Sequence, residues 1–225
     1  MKWLEKFVPL YKKEVGLPFV AYIYHSQNIE RILKLLKSAG LRYCCLALES
    51  GSERINKEVF RRAYDRDRLL HAARLCKELD IAFYTDVITY NPYEEEEDLR
   101  KTLDVLVEMG GGYRMAVNKL FVLPGTKIAQ QMERDGIKIE ESEKDVMFDY
   151  YCRLFWIASF TRHSRPIVKM IDRAKVFRRY PKLLRPTLVE AIVSPLSYAR
   201  ALIHQLLPKP AVRMLQTSRA RIKKR

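Results

Sequence analysis

The residue best placed to do chemistry in this sequence is Glu49, which follows the apolar run 43–48 and precedes the polar turn Ser50-Gly51-Ser52. A helical pattern begins directly after this turn, so the segment predicts a strand that ends in a loop. In α/β proteins, ligands bind at such carboxyl ends of strands. Glu49 alternates in phase with Cys45 and Ala47, which predicts an inward-facing carboxylate that needs a donor once buried. Glu49 is therefore a candidate ligand contact.

Structural roles compete with functional ones at this turn and at the next. The spacing Ser50-x-x-Glu53 fits a capping box, in which both side chains satisfy free backbone donors at a helix start. Residues 94–98 are five consecutive acids after Pro92, and acids in a first helical turn suit the helix dipole. A capping role explains Ser50 and Glu53, but it leaves Glu49 unexplained.

The cysteines and histidines do not form a recognisable metal or nucleophile pattern. The four cysteines, at positions 44, 45, 76 and 152, lack C-x-x-C and C-x-x-x-C-x-x-C spacing, and the four histidines are scattered. Reduced, buried thiols in a cytosolic protein are the expectation. The run Gly110-Gly111-Gly112 joins a helix to a strand, which is the wrong order for a phosphate loop, and it is interpreted as a helix stop.

Alternating strand and helix patterns fill the first 145 residues. Strands are predicted at 19–24, 43–48, 82–88 and 115–123, and helices at 2–14, 29–39, 53–62, 66–79, 94–109 and 127–135. Asn28 is expected to cap the second helix and Gly40 to end it. Four strands at about 30-residue spacing predict a parallel sheet with right-handed crossovers, an α/β fold that is either barrel-like or doubly wound.

Charge divides the chain into two predicted domains. The net charge is +15, yet residues 1–145 contain 24 basic and 24 acidic residues, so the whole excess lies in residues 146–225. Within this second part, residues 165–180 predict a basic amphipathic helix. Residues 188–207 are very apolar but interrupted by Glu190, Pro195 and Arg200, which argues against a membrane span. Residues 218–225 form a basic tail.

Several motifs, taken in order, resemble one known family. They are the segment 48–53, Asp86-Val87-Ile88 with Pro92 and Glu94, Thr102 in the following helix, and Pro124-Gly125-Thr126 before Asp135-Gly136-Ile137. Over residues 1–137 they look like the later part of the radical S-adenosylmethionine (radical SAM) core, with the cobalamin-linked and methylthiotransferase-like branch as the nearest form. The resemblance implies a partial, open (β/α) barrel of about four units. In that family a 4Fe-4S cluster reduces S-adenosylmethionine to a 5′-deoxyadenosyl radical.

The resemblance also assigns residues to the cofactor. Glu49 and Ser50, with Ser52, would approach the amino-acid or ribose part of S-adenosylmethionine. Asp86, the turn from Ile88 to Glu94 and the backbone near Leu123 and Pro124 would lie along the adenine side.

Two departures from the family pattern carry expectations of their own. The family's Gly-x-Pro-Gly-Glu appears here as Tyr90-Asn91-Pro92-Tyr93-Glu94, so the adenine side is expected to be narrowed or rebuilt. The cysteine loop and the strands around it are absent from this sequence, so no metal ligand is assigned.

The basic second part has three open interpretations. It suits an anionic membrane surface contacted through residues 165–225, or a cover over a lipid-like or other small-molecule substrate. It also suits nucleic acid, which we favour less because aromatic and basic residues are not interleaved. The third interpretation is a solvated helical extension packed on the barrel.

These observations lead to one hypothesis and one alternative. The hypothesis is a cytoplasmic radical SAM protein, peripheral to the membrane if its tail binds lipid, whose parent reaction is radical chemistry on an unactivated carbon or methyl transfer with cobalamin. This chain is expected to be incomplete for catalysis because its cluster ligands are absent. The alternative is a non-catalytic half-barrel whose exposed edge at 19–24 pairs with a protein that supplies further strands.

Overall fold

A computed structural model describes residues 1–137, 144–160 and 164–193 of the chain. The chain divides into two compact units, residues 1–184 and residues 185–225. The first unit runs past residue 145, because helices of the basic part pack on the same core as the sheet. The domain boundary at residue 145, which rests on charge alone, stays a prediction.

The first unit contains the predicted parallel sheet. Its strands are β1 (Phe19–Tyr22), β2 (Leu41–Cys45), β3 (Ala82–Thr89) and β4 (Arg114–Lys119), hydrogen-bonded in the order β1-β2-β3-β4. All three pairings are parallel. The α/β fold with about four βα units is confirmed.

Three strands are shorter than the sequence pattern predicts. β1 stops at Tyr22, β2 at Cys45 and β4 at Lys119. Beyond β2 the backbone still bonds to β3, because the Leu46 N–H donates to the Tyr84 carbonyl at 2.9 Å. Beyond β4 the apolar pattern is misleading, since Phe121 and Leu123 are exposed.

Helices cover one side of this sheet and continue beyond it. They are α1 (Lys2–Glu14), α2 (Ile29–Ala39), a π-helical turn (Ile55–Val59), α3 (Arg66–Glu78), α4 (Glu96–Glu108), α5 (Lys127–Arg134), α6 (Lys144–Phe160), α7 (Ser164–Arg173), α8 (Lys175–Arg179) and a 3₁₀ turn (Pro181–Leu183). The second unit contains α9 (Pro186–Val193). None of the helices in the described ranges is long and apolar enough to cross a membrane.

Several local predictions need correction. The segment 53–62 forms a π-helical turn rather than a full helix, and the predicted helix 165–180 breaks at Ala174 into α7 and α8. Asn28 precedes α2 but makes no side-chain capping bond, whereas Gly40 ends α2 in a left-handed conformation as predicted. Most of the apolar segment 188–207 and the whole tail 218–225 lie outside the described residues.

The two faces of the sheet differ in what covers them. In β3, Phe83, Val87 and the residues in phase with them are buried under the helices. The residues out of phase, including Tyr84 and Asp86, face the opposite side, where Tyr84 stacks on Tyr43 with ring centroids 5.5 Å apart. We call this second side the inner face. On β1 it is open to solvent, where Tyr22 is 80% exposed.

Gly51 permits a close backbone approach between the turn after β2 and α4. A Cβ at Gly51 would lie 2.4 Å from Thr102 Cα and 2.6 Å from the Lys101 carbonyl oxygen. The Gly51 N–H donates to Thr102 Oγ1 at 2.8 Å. The other seven glycines all have positive φ, so Gly51 is needed for space rather than for backbone conformation.

Substituting Gly51→Ala tests this close approach. The new methyl group must displace the α4 backbone, so we expect the free energy of unfolding to fall by about 3 kcal/mol or more, the upper end of the cost of overpacking. Gly125→Ala is the matched control, because a Cβ there meets open space and only the positive φ is strained. That strain costs about 1 kcal/mol. Urea denaturation of both variants measures the difference, and equal losses would contradict the proposed clash.

Candidate functional site

Glu49 lies at the carboxyl edge of the sheet in an unusual conformation. Its φ is +62°, in the left-handed region that a residue other than glycine adopts at a cost of about 1 kcal/mol or more. Two backbone bonds to β3 hold it there: its N–H donates to the Asp86 carbonyl at 2.9 Å, and its carbonyl accepts from the Ile88 N–H at 2.8 Å. The carboxylate is only 9% exposed and forms an ion pair with Arg62.

Asp86 of β3 is the second acid at this edge. Its Oδ1 atom is buried without a hydrogen-bond partner among the described residues. Burial raises the pKa of Asp86, although hydrogen bonds from its own backbone and from the Leu48 backbone, together with the charge of Arg62, oppose this. Burial also raises the pKa of Glu49, where Arg62 opposes the shift and the charge of Asp86 adds to it. The edge therefore contains two partly desolvated carboxyl groups and one arginine, which pairs with Glu49 and acts on Asp86 only through its charge.

A small cavity of about 250 Å³ adjoins Glu49 and Arg62. Among its lining residues are His25, which follows β1, and Tyr64, which precedes α3. Both ring nitrogens of His25 and the Tyr64 hydroxyl are buried and without partners in the described part of the chain. Burial lowers the pKa of His25, so its neutral form is favoured. Buried polar groups are ordinarily hydrogen-bonded, so this cavity suits a ligand group or water that both donates and accepts.

Ser50 and Ser52 are fully buried in a hydrogen-bond network that ties the turn to α4. Ser50 Oγ donates to Glu94 Oε1 at 3.4 Å, and Ser52 Oγ donates to Asp98 Oδ1 at 2.6 Å. Ser50 Oγ also accepts from the Ser52 N–H at 3.2 Å. These two hydroxyls hold the turn, and a contact between either and a ligand stays a prediction.

The predicted capping box at Ser50 and Glu53 is wrong, because Ser50 bonds to α4 and Glu53 pairs with Lys57. A capping box does occur at the start of α4, where Asp98 Oδ2 accepts from the Glu95 N–H at 3.0 Å. The acids of that first turn are thus partly a helix start, as the sequence predicts.

Glu94 is the most strongly perturbed acid of the network. It is fully buried, and its Oε2 atom is without a partner among the described residues. Burial and the nearby charge of Asp98 raise the pKa of Glu94 to about 8. Burial alone would also raise the pKa of Asp98, but hydrogen bonds from Arg54 and Ser52 outweigh it, and that pKa is lowered. The pair therefore retains one proton, on Glu94, at neutral pH.

The remaining predicted contacts lie in different surroundings. Ile88 shares the inner face with Asp86 and is half-buried. Leu123 and Pro124 lie in the exposed loop between β4 and α5, where the Leu123 carbonyl already accepts two bonds from Thr126. Their place on the adenine side stays a prediction.

Tyr90 keeps a positive φ of +58° at the turn where the family has glycine. Its ring stacks on Phe148 of α6 with centroids 5.0 Å apart, and Lys119 Nζ lies 4.7 Å from its centroid. Tyr93 instead donates its hydroxyl hydrogen to Asp135 Oδ2 at 2.8 Å. The Tyr90 ring therefore packs against α6, and a narrowed or rebuilt adenine side stays a prediction.

The cysteines do not fit a 4Fe-4S cluster. Cys44 and Cys76 contact each other at 3.7 Å in the layer between sheet and helices, and Cys152 bonds to Thr89 at 3.6 Å. Cys45 lies on the inner face, where burial raises its thiol pKa to about 11. Within the described ranges, His, Cys, Asp and Glu form no group of three that could hold a metal ion.

Sequence reasoning missed His25, Arg62 and Tyr64. Arg62 follows Glu49 by 13 residues, a spacing without helical or strand period, so only the fold brings the two together. Because Arg61, Arg66 and Arg68 lie close to Arg62 in the sequence, the pattern did not single out Arg62.

Glu94→Gln tests the buried proton. The folded-state pKa of Glu94 lies above its unfolded value of 4.5, so the folded state binds the extra proton between these values. Native stability from this group is therefore full at low pH and declines as the pH rises toward 8. We expect the wild type to lose on the order of 2–4 kcal/mol relative to Glu94→Gln between pH 5 and pH 8.

Urea denaturation at several pH values measures this difference. Glu97→Gln is the control, because Glu97 lies on the exposed side of the same helix. If wild type and Glu94→Gln show parallel pH profiles, Glu94 is ionised in the folded protein and the inference is wrong.

Residues 4–106 of the chain match the family model of the radical SAM superfamily. Among curated proteins, tRNA-2-methylthio-N(6)-dimethylallyladenosine synthase of Chloroflexus aurantiacus is 30% identical over 102 residues, covering 44% of this chain and 22% of the relative. The synthase of the same name from Caldicellulosiruptor saccharolyticus is 36% identical over 104 residues, covering 44% and 21%. The chain thus spans about a fifth of the length of these curated relatives.

A solved structure supports the fold. The radical S-adenosylmethionine methyltransferase TsrM from Kitasatospora setae, with cobalamin and a [4Fe-4S] cluster bound, superposes with a TM-score of 0.50 at 17% identity. The match covers 63% of this chain and 27% of TsrM. This likeness supports the parallel α/β fold of the chain, and residues 4–106 match the radical SAM family model.

Proposed function

We propose that this chain forms the S-adenosylmethionine-facing wall of a radical SAM enzyme, with the carboxyl ends of β2 and β3 as the binding edge. The observation that carries the proposal is the buried Oδ1 atom of Asp86, which has no hydrogen-bond partner among the described residues and lies beside the Glu49–Arg62 ion pair. A buried carboxylate oxygen without a donor is costly and invites a bound donor or cation.

The charge of S-adenosylmethionine suits this edge. The molecule has a sulfonium and an ammonium group, and either would lower the cost of keeping Asp86 and Glu49 ionised. Arg62 is available at the same place for the ligand's carboxylate, because one arginine fork can bind two carboxylates.

The cavity beside Glu49 suits ribose hydroxyls, which both donate and accept hydrogen bonds. His25 and Tyr64 offer the matching atoms, which have no hydrogen-bond partner within the described ranges. A neutral His25 can accept at one ring nitrogen and donate from the other. The chain's own residues would thus bind and orient the cofactor.

In this superfamily, S-adenosylmethionine together with a reduced iron–sulfur cluster supplies radical chemistry. The cysteines of this chain do not fit the cluster, so we derive no catalytic step through it. Methyl or methylthio transfer to an unactivated carbon is the reaction class that the relatives favour. Cobalamin use is proposed only by likeness to TsrM.

Asp86→Asn and Glu49→Gln test the binding edge. We expect S-adenosylmethionine to bind the wild-type protein and each variant to bind it about tenfold more weakly, because a charge-assisted contact is removed. S-adenosylhomocysteine lacks the sulfonium charge and should bind the wild type more weakly than S-adenosylmethionine. Isothermal titration calorimetry measures all of these affinities.

Asp67→Asn is the matched control, because Asp67 is an exposed aspartate in the first turn of α3. Unchanged S-adenosylmethionine affinity in both Asp86→Asn and Glu49→Gln would refute the proposed edge. Anaerobic reconstitution with iron and sulfide tests cluster binding separately. A stoichiometric cluster would contradict the conclusion that the cysteines do not fit one.

A non-catalytic half-barrel is the second candidate, and β1 supports it. β1 is an edge strand, with Val20 62% exposed and Tyr22 80% exposed on the inner face. An apolar edge of this kind is a template for pairing with another strand. If a second copy of this chain covers it, sedimentation should give a dimer, and Tyr22→Lys should give a monomer. A wild-type monomer at high concentration would exclude pairing between copies.

A further inference from the structure

A second cavity, of about 940 Å³, is lined by none of the residues Glu49, Arg62 and Asp86 of the proposed cofactor edge, although its Tyr90 belongs to the turn assigned to the adenine side. It is bounded by Tyr90 after β3, Lys119 at the end of β4, the first turns of α6, and the segment from α8 through the 3₁₀ turn. Its volume is in the range of cavities that hold small organic ligands. We call it the α6 pocket.

The α6 pocket lies on the helix-covered side of the sheet. Lys119 pairs in register with Thr89, and Thr89 is a buried residue whose hydroxyl contacts Cys152 of α6. Asp86 and Ile88 alternate with Thr89 and so face the opposite, inner side. A ligand in the α6 pocket would therefore leave the inner face free.

The charges lining the α6 pocket favour an anion. Three cationic side chains line it: Lys119, Arg179 and Lys182. The pocket also has two acids, Asp145 and Asp149. Asp149 already accepts a hydrogen bond from Arg153 at 3.1 Å, so Asp145 is the acid whose charge opposes the three cations.

Aromatic contacts help to position two of these cations. Lys119 Nζ lies 4.7 Å from the centroid of Tyr90, and the guanidinium of Arg179 lies 5.6 Å from that of Tyr180. Tyr90 is itself fixed by its stack on Phe148. The cationic rim thus has a rigid aromatic support on the sheet side.

The same pocket exposes apolar surface. Val146, Tyr180 and Leu183 are 47%, 53% and 61% exposed, respectively. Exposed apolar side chains grouped in one concave place mark a binding site more often than scattered ones do. A purely polar anion would leave this surface in water.

We propose that the α6 pocket binds one amphipathic anion, with a phosphate or carboxylate head held by Arg179, Lys182 and Lys119 and a hydrocarbon body packed on Val146, Tyr180 and Leu183. A free metabolite and a membrane lipid both have this chemistry. The proposal does not depend on S-adenosylmethionine binding, because the two sites lie on opposite sides of the sheet.

Calorimetric titration with monomeric dodecyl phosphate tests the pocket, with inorganic phosphate and dodecyl maltoside as head-only and neutral-head probes. We expect dodecyl phosphate to bind one to one and more tightly than either probe. Arg179→Gln and Lys182→Gln should each weaken it about tenfold. Leu183→Ser should also weaken it, while leaving the affinity for inorganic phosphate unchanged.

Lys175→Gln is the matched control, because Lys175 is an exposed cation of the same helix that does not line the pocket. Flotation with phosphatidylglycerol–phosphatidylcholine vesicles distinguishes the source: flotation that Arg179→Gln reduces indicates a lipid, and dodecyl phosphate binding without flotation indicates a free metabolite. The proposal is refuted if neither ligand form binds, or if Arg179→Gln and Lys175→Gln bind dodecyl phosphate equally.

Discussion

The close approach between the turn after β2 and the helix α4 is the constraint on which the candidate site depends. Gly51 touches the Thr102 backbone, and its N–H is bound by the Thr102 hydroxyl. Ser50 and Ser52 add bonds to Glu94 and Asp98. Because these groups are fully buried, the turn has little freedom, and the residue before it, Glu49, is held in a conformation that it would otherwise avoid. The hydrogen-bond network between this turn and α4 therefore positions the Glu49 carboxylate, although Glu49 is not one of its members.

The site contains acids that hold the structure together and acids that are available to contact a ligand. Glu94 and Asp98 lie inside the network, where a retained proton and Arg54 neutralise them. Glu49 and Asp86 lie at its boundary, where burial penalises their charge but Arg62 compensates only in part. This contrast is why the second pair, rather than the more strongly shifted Glu94, is the better candidate for recognising a cationic ligand.

Much of the fold could be predicted from the sequence, because it follows from local patterns. The four strands, the helix ends at Gly40 and Gly110 and the parallel order depend on periodicity and on residues that stop helices. The apolar run after Lys119 was misleading because β4 lies at an edge of the sheet, where Phe121 remains in water. Glu49 could be singled out because an acid ends an otherwise apolar strand. Its partner Arg62, the burial of His25 and the need for glycine at position 51 could not be predicted, because each depends on residues that only tertiary structure brings together.

The contact between Gly51 and Thr102 also has a consequence for the order in which the protein folds. The two residues are separated by 51 positions in the sequence. β2 precedes Gly51, and β3 lies between Gly51 and Thr102. Contacts of such separation form late, since the chain must first lose the entropy of the intervening loop. During synthesis, β1 and β2 can emerge and pair before α4 exists, but the turn after β2 lacks its binding partner until Thr102 has left the ribosome. The candidate binding edge is thus assembled only after the second half of the sheet has begun to form, and a shorter nascent chain would lack the contact that positions Glu49.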